Sequence, residues 1–75
     1  MPSLDQFRPG QRVRIVAVAG TDALVQRLME MGLLPDEEVE IVGFAPLGDP
    51  LEIRLGDYCL SLRRSEAARI SVVPL

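Results

Sequence analysis

A chain of 75 residues with a formal charge of −3 and no histidine is long enough for one small domain, residues 1–75, and poorly supplied for several functions. The acidic balance opposes nonspecific nucleic-acid binding, which needs clustered positive charge to displace counterions, and the single cysteine forbids an intrachain disulfide. With 48% hydrophobic residues, no tryptophan, one tyrosine and two phenylalanines, the chain is globular and its core must be aliphatic.

In chain order, Pro2 to Gln11 is a lead-in, with Leu4 and Phe7 as apolar anchors and Pro9-Gly10 as a turn signal. Arg12 to Val18 then alternates, Val13, Ile15 and Ala17 against Arg12 and Arg14, which predicts a strand with one wet face. Its far end, Val16 to Val18, is apolar on both faces and is expected to be covered. Gly20-Thr-Asp22 closes the strand, and Thr21 or Asp22 can cap a helix by accepting from its free N–H groups. That helix runs roughly from Asp22 to Met31, with Leu24, Val25, Leu28 and Met29 as its apolar stripe. Gly32 sits where a helix end commonly needs positive φ, Leu33 folds back onto the last turn, and Pro35 cannot continue the helix.

From Glu37 to Phe44 the hydrophobic period changes from 3.6 to 2, with Val39 and Ile41 on one face and Glu38 and Glu40 on the other. Ala45-Pro-Leu-Gly-Asp-Pro50 is a loop. Leu51 to Leu62 is a hairpin about Gly56-Asp57, where a leading glycine signals a type II′ turn. Pairing outward sets Leu55 opposite Tyr58, Ile53 opposite Leu60 and Leu51 opposite Leu62 on one face, and Arg54 opposite Cys59 and Glu52 opposite Ser61 on the other. A one-residue slip would move every apolar side chain to the wrong side. Ser65 to Ala68 reads as one helical turn capped by Ser65, and Arg69 to Val73 as a final strand with Ile70 and Val72 inward. The expected fold is mainly β with one short helix: a small, partly open five-stranded barrel, since closure removes exposed edges.

The chemistry on offer is sparse. With neither histidine nor lysine, Cys59 has no candidate base except carboxylates, so no catalytic residues are assigned and the chain is not expected to be an enzyme. Asp36-Glu-Glu38 with Glu40 could hold a hard cation, but successive strand residues point to opposite faces, so this reads as a solvated strand entry and no metal site or cofactor is assigned. Three aromatics do not line a proline-peptide groove. What remains is a surface for a protein partner: Phe44, Pro46 and Leu47 lie in an apolar loop outside the alternating pattern, and Arg63-Arg64 is a charged pair beside it. Exposed apolar loops of this kind either mark contacts or pack over the end of a barrel.

The ordered combination of Leu4…Phe7-Arg-Pro-Gly10, Arg27-Leu-Met-Glu-Met-Gly-Leu-Leu-Pro35, Gly48-Asp-Pro-Leu51 and Leu62-Arg-Arg-Ser-Glu-Ala67 resembles the FeoA family of ferrous iron transport proteins across nearly the whole chain. The resemblance implies an SH3-like barrel in a small cytoplasmic accessory protein, a monomer or weak homodimer. Its partner would be the membrane iron transporter FeoB, which carries a cytosolic G-protein domain. The alternative it implies is a metal-sensing or ligand-binding module of the kind fused to iron-dependent repressors, for which Glu37, Glu38, Glu40 and Cys59 are the available ligands. The family usually places glycine after the proline of the turn. Asp36 stands there in this chain, and aspartate suits a type I turn better than the positive φ of type II.

Overall fold

A computed structural model describes residues 1–75. Five antiparallel strands, β1 (Arg12–Val18), β2 (Glu38–Phe44), β3 (Leu51–Leu55), β4 (Tyr58–Leu62) and β5 (Ile70–Pro74), form one sheet in the order β4-β3-β2-β1-β5. Helix α1 (Ala23–Glu30) joins β1 to β2, a short helix α2 (Arg64–Ala67) precedes β5, and a 3-10 turn (Leu4–Gln6) opens the chain. The sheet is not closed, because β4 and β5 share no ladder. The outer edge of β5 is covered by the chain's own start, through a bond from Val72 N–H to Pro2 C=O at 3.0 Å and a bridge between Ser3 and Ser71.

The hairpin holds the register set by its turn and its alternation, from Leu55 opposite Tyr58 to Leu51 opposite Leu62. Gly56 takes φ 63° and Asp57 stays at negative φ, as a type II′ turn requires. The inward faces of all five strands, with Leu28 and Leu33 from α1 and its exit, Leu4 and Ala67, make one cluster of 14 buried residues, every one aliphatic.

Helix α1 is the element that closes this core, and eight residues are too few to persist alone in water. Asp22, not Thr21, caps it, its carboxylate accepting from Val25 N–H at 3.4 Å. Arg69 grips the same carboxylate with two guanidinium nitrogens, at 3.0 and 3.1 Å, and this hydrogen-bonded partner holds the Asp22 carboxyl below its ordinary pKa. At the other end Leu33 N–H bonds Leu28 C=O at 3.2 Å and Gly32 N–H bonds Met29 C=O at 3.0 Å. These are the 6→1 and 5→2 bonds of a Schellman motif, and both members of its apolar contact, Leu28 and Leu33, are fully buried. Tyr58 adds a third tether, donating its phenol to Met31 C=O at 2.8 Å.

Four local expectations give way. The register of β1 against β5 jumps between Ile15 and Ala17, so Val16 bulges out, 38% exposed, Ala17 is exposed, and only Val18 at the strand's end is half-buried. The expected cover over Val16 to Val18 is therefore absent for two of the three residues. Met29 lies about 100° round the helix from Leu28 and is 38% exposed, which narrows the stripe to Leu24, Val25 and Leu28. Tyr58 pairs with Leu55 as expected, yet it is 45% exposed, because its hydroxyl needs a polar partner and finds one at the end of α1. Ser65 is not the cap of the second helix. That helix begins at Arg64, and Arg63 N–H is satisfied by the Glu66 carboxylate at 2.9 Å.

The turn between α1 and β2 keeps its left-handed residue. Asp36 has φ 75°, Glu37 N–H closes the turn on Leu34 C=O at 3.2 Å, and Asp36 N–H and Ile15 N–H tie it to β1 at 2.8 and 2.9 Å. Those strand bonds hold the backbone in a region aspartate only tolerates. Replacement Asp36→Gly relieves that strain, and we expect it to raise stability by about 0.5–1 kcal/mol, read as a higher melting midpoint. The opposite change follows at Gly32, with φ 103°. A Cβ there would stand 2.5 Å from the Tyr58 phenol oxygen and 2.8 Å from Leu55 Cδ2. Gly32→Val should therefore cost about 2–4 kcal/mol, backbone strain and crowding together, in a denaturant titration. An unchanged midpoint would show that the hairpin does not press on the helix end.

Candidate partner-binding face

The loop between β2 and β3 is built to hold a shape. Gly48 N–H bonds Ala45 C=O at 2.7 Å, closing a turn with Pro46 and Leu47 at its centre, and Ala45 N–H bonds Pro50 C=O at 3.0 Å across the loop's base. Proline at the first central position presets the turn's backbone. From the far side Arg64, the first residue of α2, locks the loop down. Its N–H bonds an Asp49 carboxylate oxygen at 3.0 Å, its guanidinium reaches Gly48 C=O at 3.3 Å, and the same guanidinium lies over the Phe44 ring, 5.4 Å from its centroid. A cation over an aromatic face is attracted by the ring quadrupole.

The consequence is an apolar side chain held away from the body of the protein. Leu47 is 96% exposed, more than any other large hydrophobic residue in the chain. Pro46 is also exposed, whereas Phe44 is half-buried and packs against the core. The five residues read from the sequence thus occupy one neighbourhood but play different parts. Phe44 and Arg64 form the brace, Pro46 shapes the turn, Leu47 is the knob, and Arg63 stands exposed at the start of α2. The sequence does not reveal that Arg64 reaches back to Gly48 and Asp49, nor that Asp49 is part of the face.

Next to this face, Glu66 joins the two helices. Its carboxylate bonds Arg63 N–H at 2.9 Å and Arg27 of α1 at 2.9 Å, and its side chain is only 13% exposed. The acidic entry to β2 is organised differently from a metal site. Glu38 pairs with Arg12 at 3.0 Å and Arg14 at 3.5 Å, and Glu40 pairs with Arg54 at 2.9 Å. These are cross-strand ion pairs on a wet face, each worth about 0–1 kcal/mol. Cys59 is exposed and sits opposite Arg54 in the ladder. No three Cys, Asp or Glu side chains come together as a ligand set.

Comparison with known proteins agrees with this architecture. A family model described as the FeoA domain matches residues 3–74. A curated relative from Porphyromonas gingivalis (strain ATCC BAA-308 / W83), an Fe(2+) transport protein A/Fe(2+) transporter FeoB fusion protein, is 39% identical over 69 residues, covering 92% of this chain and 8% of its own length. Among solved structures, iron(II) transport protein A from Clostridium thermocellum superposes with a TM-score of 0.94 at 38% identity, covering 99% of this chain and 46% of that one. FeoA from Stenotrophomonas maltophilia, described as a prokaryotic SH3 domain protein complexed with zinc, superposes at 0.84 with 32% identity, covering 96% and 89%. The open five-stranded sheet is accordingly SH3-like, and with the family model spanning nearly its full length, the chain belongs to the FeoA family of ferrous iron transport proteins.

Proposed function

We propose that this protein is a cytoplasmic accessory of ferrous iron uptake that binds the cytosolic G-protein part of a FeoB-type transporter and modulates its nucleotide cycle or assembly. The observation that carries the proposal is the Porphyromonas gingivalis relative, in which an A part and a transporter sit in one polypeptide. Joining two domains in one polypeptide raises their effective concentration toward each other without any new contact, an arrangement that suits domains acting on each other. No helix here is long and apolar enough to cross a membrane; in this reading the domain meets the bilayer through its partner. The face it would use is the braced loop with its neighbouring helix, namely Phe44, Pro46, Leu47, Arg63 and Arg64.

A second reading, a metal-responsive module, is favoured by the zinc bound to the Stenotrophomonas maltophilia relative. Glu38 and Glu40, already paired to arginines, would have to release those partners to bind a cation. Calorimetric titration with Fe²⁺, Mn²⁺ and Zn²⁺ separates the readings, since a sensor binds one of them at about micromolar levels or tighter.

The direct test is retention of the transporter's cytosolic domain on this protein, with GDP and with a GTP analogue. We expect retention that differs between the nucleotides. Retention in neither state, together with unchanged iron uptake on deletion of the gene, would refute the proposal.

A further inference from the structure

Five of the eight arginines face a carboxylate of the fold: Arg12, Arg14, Arg27, Arg54 and Arg69. The guanidinium groups of Arg8, Arg63 and Arg64 make no such ion pair, and two of these three flank the braced loop. Arg64 spends its guanidinium on Gly48 C=O and the Phe44 ring, neither of which neutralises it. A chain with a net charge of −3 thus presents, beside its most exposed apolar side chain, two arginines whose guanidinium groups make no ion pair, with the Asp49 carboxylate, held by Arg64 N–H, as the one acid of the loop.

From this juxtaposition we infer the chemistry of the surface that Leu47 meets: an apolar socket rimmed by Asp or Glu carboxylates, on the cytosolic part of the transporter. The inference rests on the partner proposed above and adds what that partner must present. The loop's bonds fix the geometry before contact, so little conformational freedom is lost on docking. A single aliphatic side chain entering a closed pocket is the kind of anchor that dominates an interface, while charges at the rim set the encounter rate and reject wrong partners. A second copy of the chain meeting this face with its own fits poorly, because it offers the same positive pair against the same knob. An anionic bilayer fits poorly as well, because the net charge opposes approach and one leucine inserts little apolar surface.

The experiment measures affinity between the full chain and the transporter's cytosolic domain for wild type, Leu47→Ser, Leu47→Met and Arg63→Glu, at about 50 and 500 mM salt. All three substitutions are at exposed positions, and an unchanged melting midpoint checks that each variant is folded. We expect Leu47→Ser to weaken binding at least about tenfold and Leu47→Met to restore most of it. Wild-type affinity should fall with salt, and Arg63→Glu should weaken binding at low salt and flatten that dependence. If wild type binds the domain and both Leu47→Ser and Arg63→Glu bind it equally well, the inference is wrong and the transporter reading stands. If wild type binds with neither GDP nor a GTP analogue, the inference is wrong, and unchanged iron uptake on deletion of the gene then overturns the transporter reading as well. A Leu47-dependent dimer in sedimentation velocity, or Arg63-dependent capture by phosphatidylglycerol vesicles with no effect of either variant on the domain, would replace the acidic socket with a different occupant.

Discussion

The structure depends on how one short helix is terminated. Helix α1 cannot hold itself together in water, and the open side of the sheet cannot be dry without it. Both problems are solved at the same place, where the Schellman bonds of Gly32 and Leu33 turn the chain while driving Leu28 and Leu33 into the core together. The hairpin then leans on that turn so closely that any side chain at position 32 would strike Tyr58 or Leu55. Burial of one leucine contributes about 1.5–3 kcal/mol, so this pair alone is comparable to a sizeable share of what a domain this small retains after folding. The ion pairs around the helix, Arg69 with Asp22 and Arg27 with Glu66, orient its ends. The packing holds it in place.

The same chain segments position the candidate face. The bond from Arg27 to Glu66 sets α2 against α1, and the first residue of α2 braces the β2–β3 loop through Asp49, Gly48 and Phe44. A path of direct contacts therefore runs from the helix that seals the core to the knob that projects from it. Belonging to the FeoA family gives this path a setting in ferrous iron transport, and at its end stands an exposed leucine whose loop is braced from behind.

Local patterns were legible wherever two of them agreed. In the hairpin, turn chemistry and alternation each specify one register and specify the same one. At Gly32, Leu33 and Pro35, three residues in sequence mark one helix end. Failure came where the deciding contact was distant or the pattern uniform. Val16-Ala-Val18 reads as apolar throughout, so nothing in it marks the bulge that turns Val16 and Ala17 outward. Asp36 is held left-handed by bonds between its turn and Ile15, distant in sequence, against its own preference. Tyr58 follows the alternation in register but is drawn aside by the Met31 carbonyl. Of the candidate face, the apolar loop and the arginine pair were visible, but the brace between Arg64 and Gly48–Asp49 spans too much sequence to be read locally.

The unclosed seam of the sheet has a consequence for how the molecule breathes. In β4, alternate residues direct their backbone groups toward β3, and those of Cys59 and Ser61 point the other way, where no backbone partner meets them. The amides of Cys59 and Ser61 can therefore trade protons with solvent while the protein stays fully folded. Those of Tyr58, Leu60 and Leu62 are released only when the hairpin peels from its neighbour. Along five consecutive residues, slow and fast hydrogen exchange should alternate, a dynamic imprint of an edge that the opposite side of the sheet, covered by the chain's own beginning, does not share.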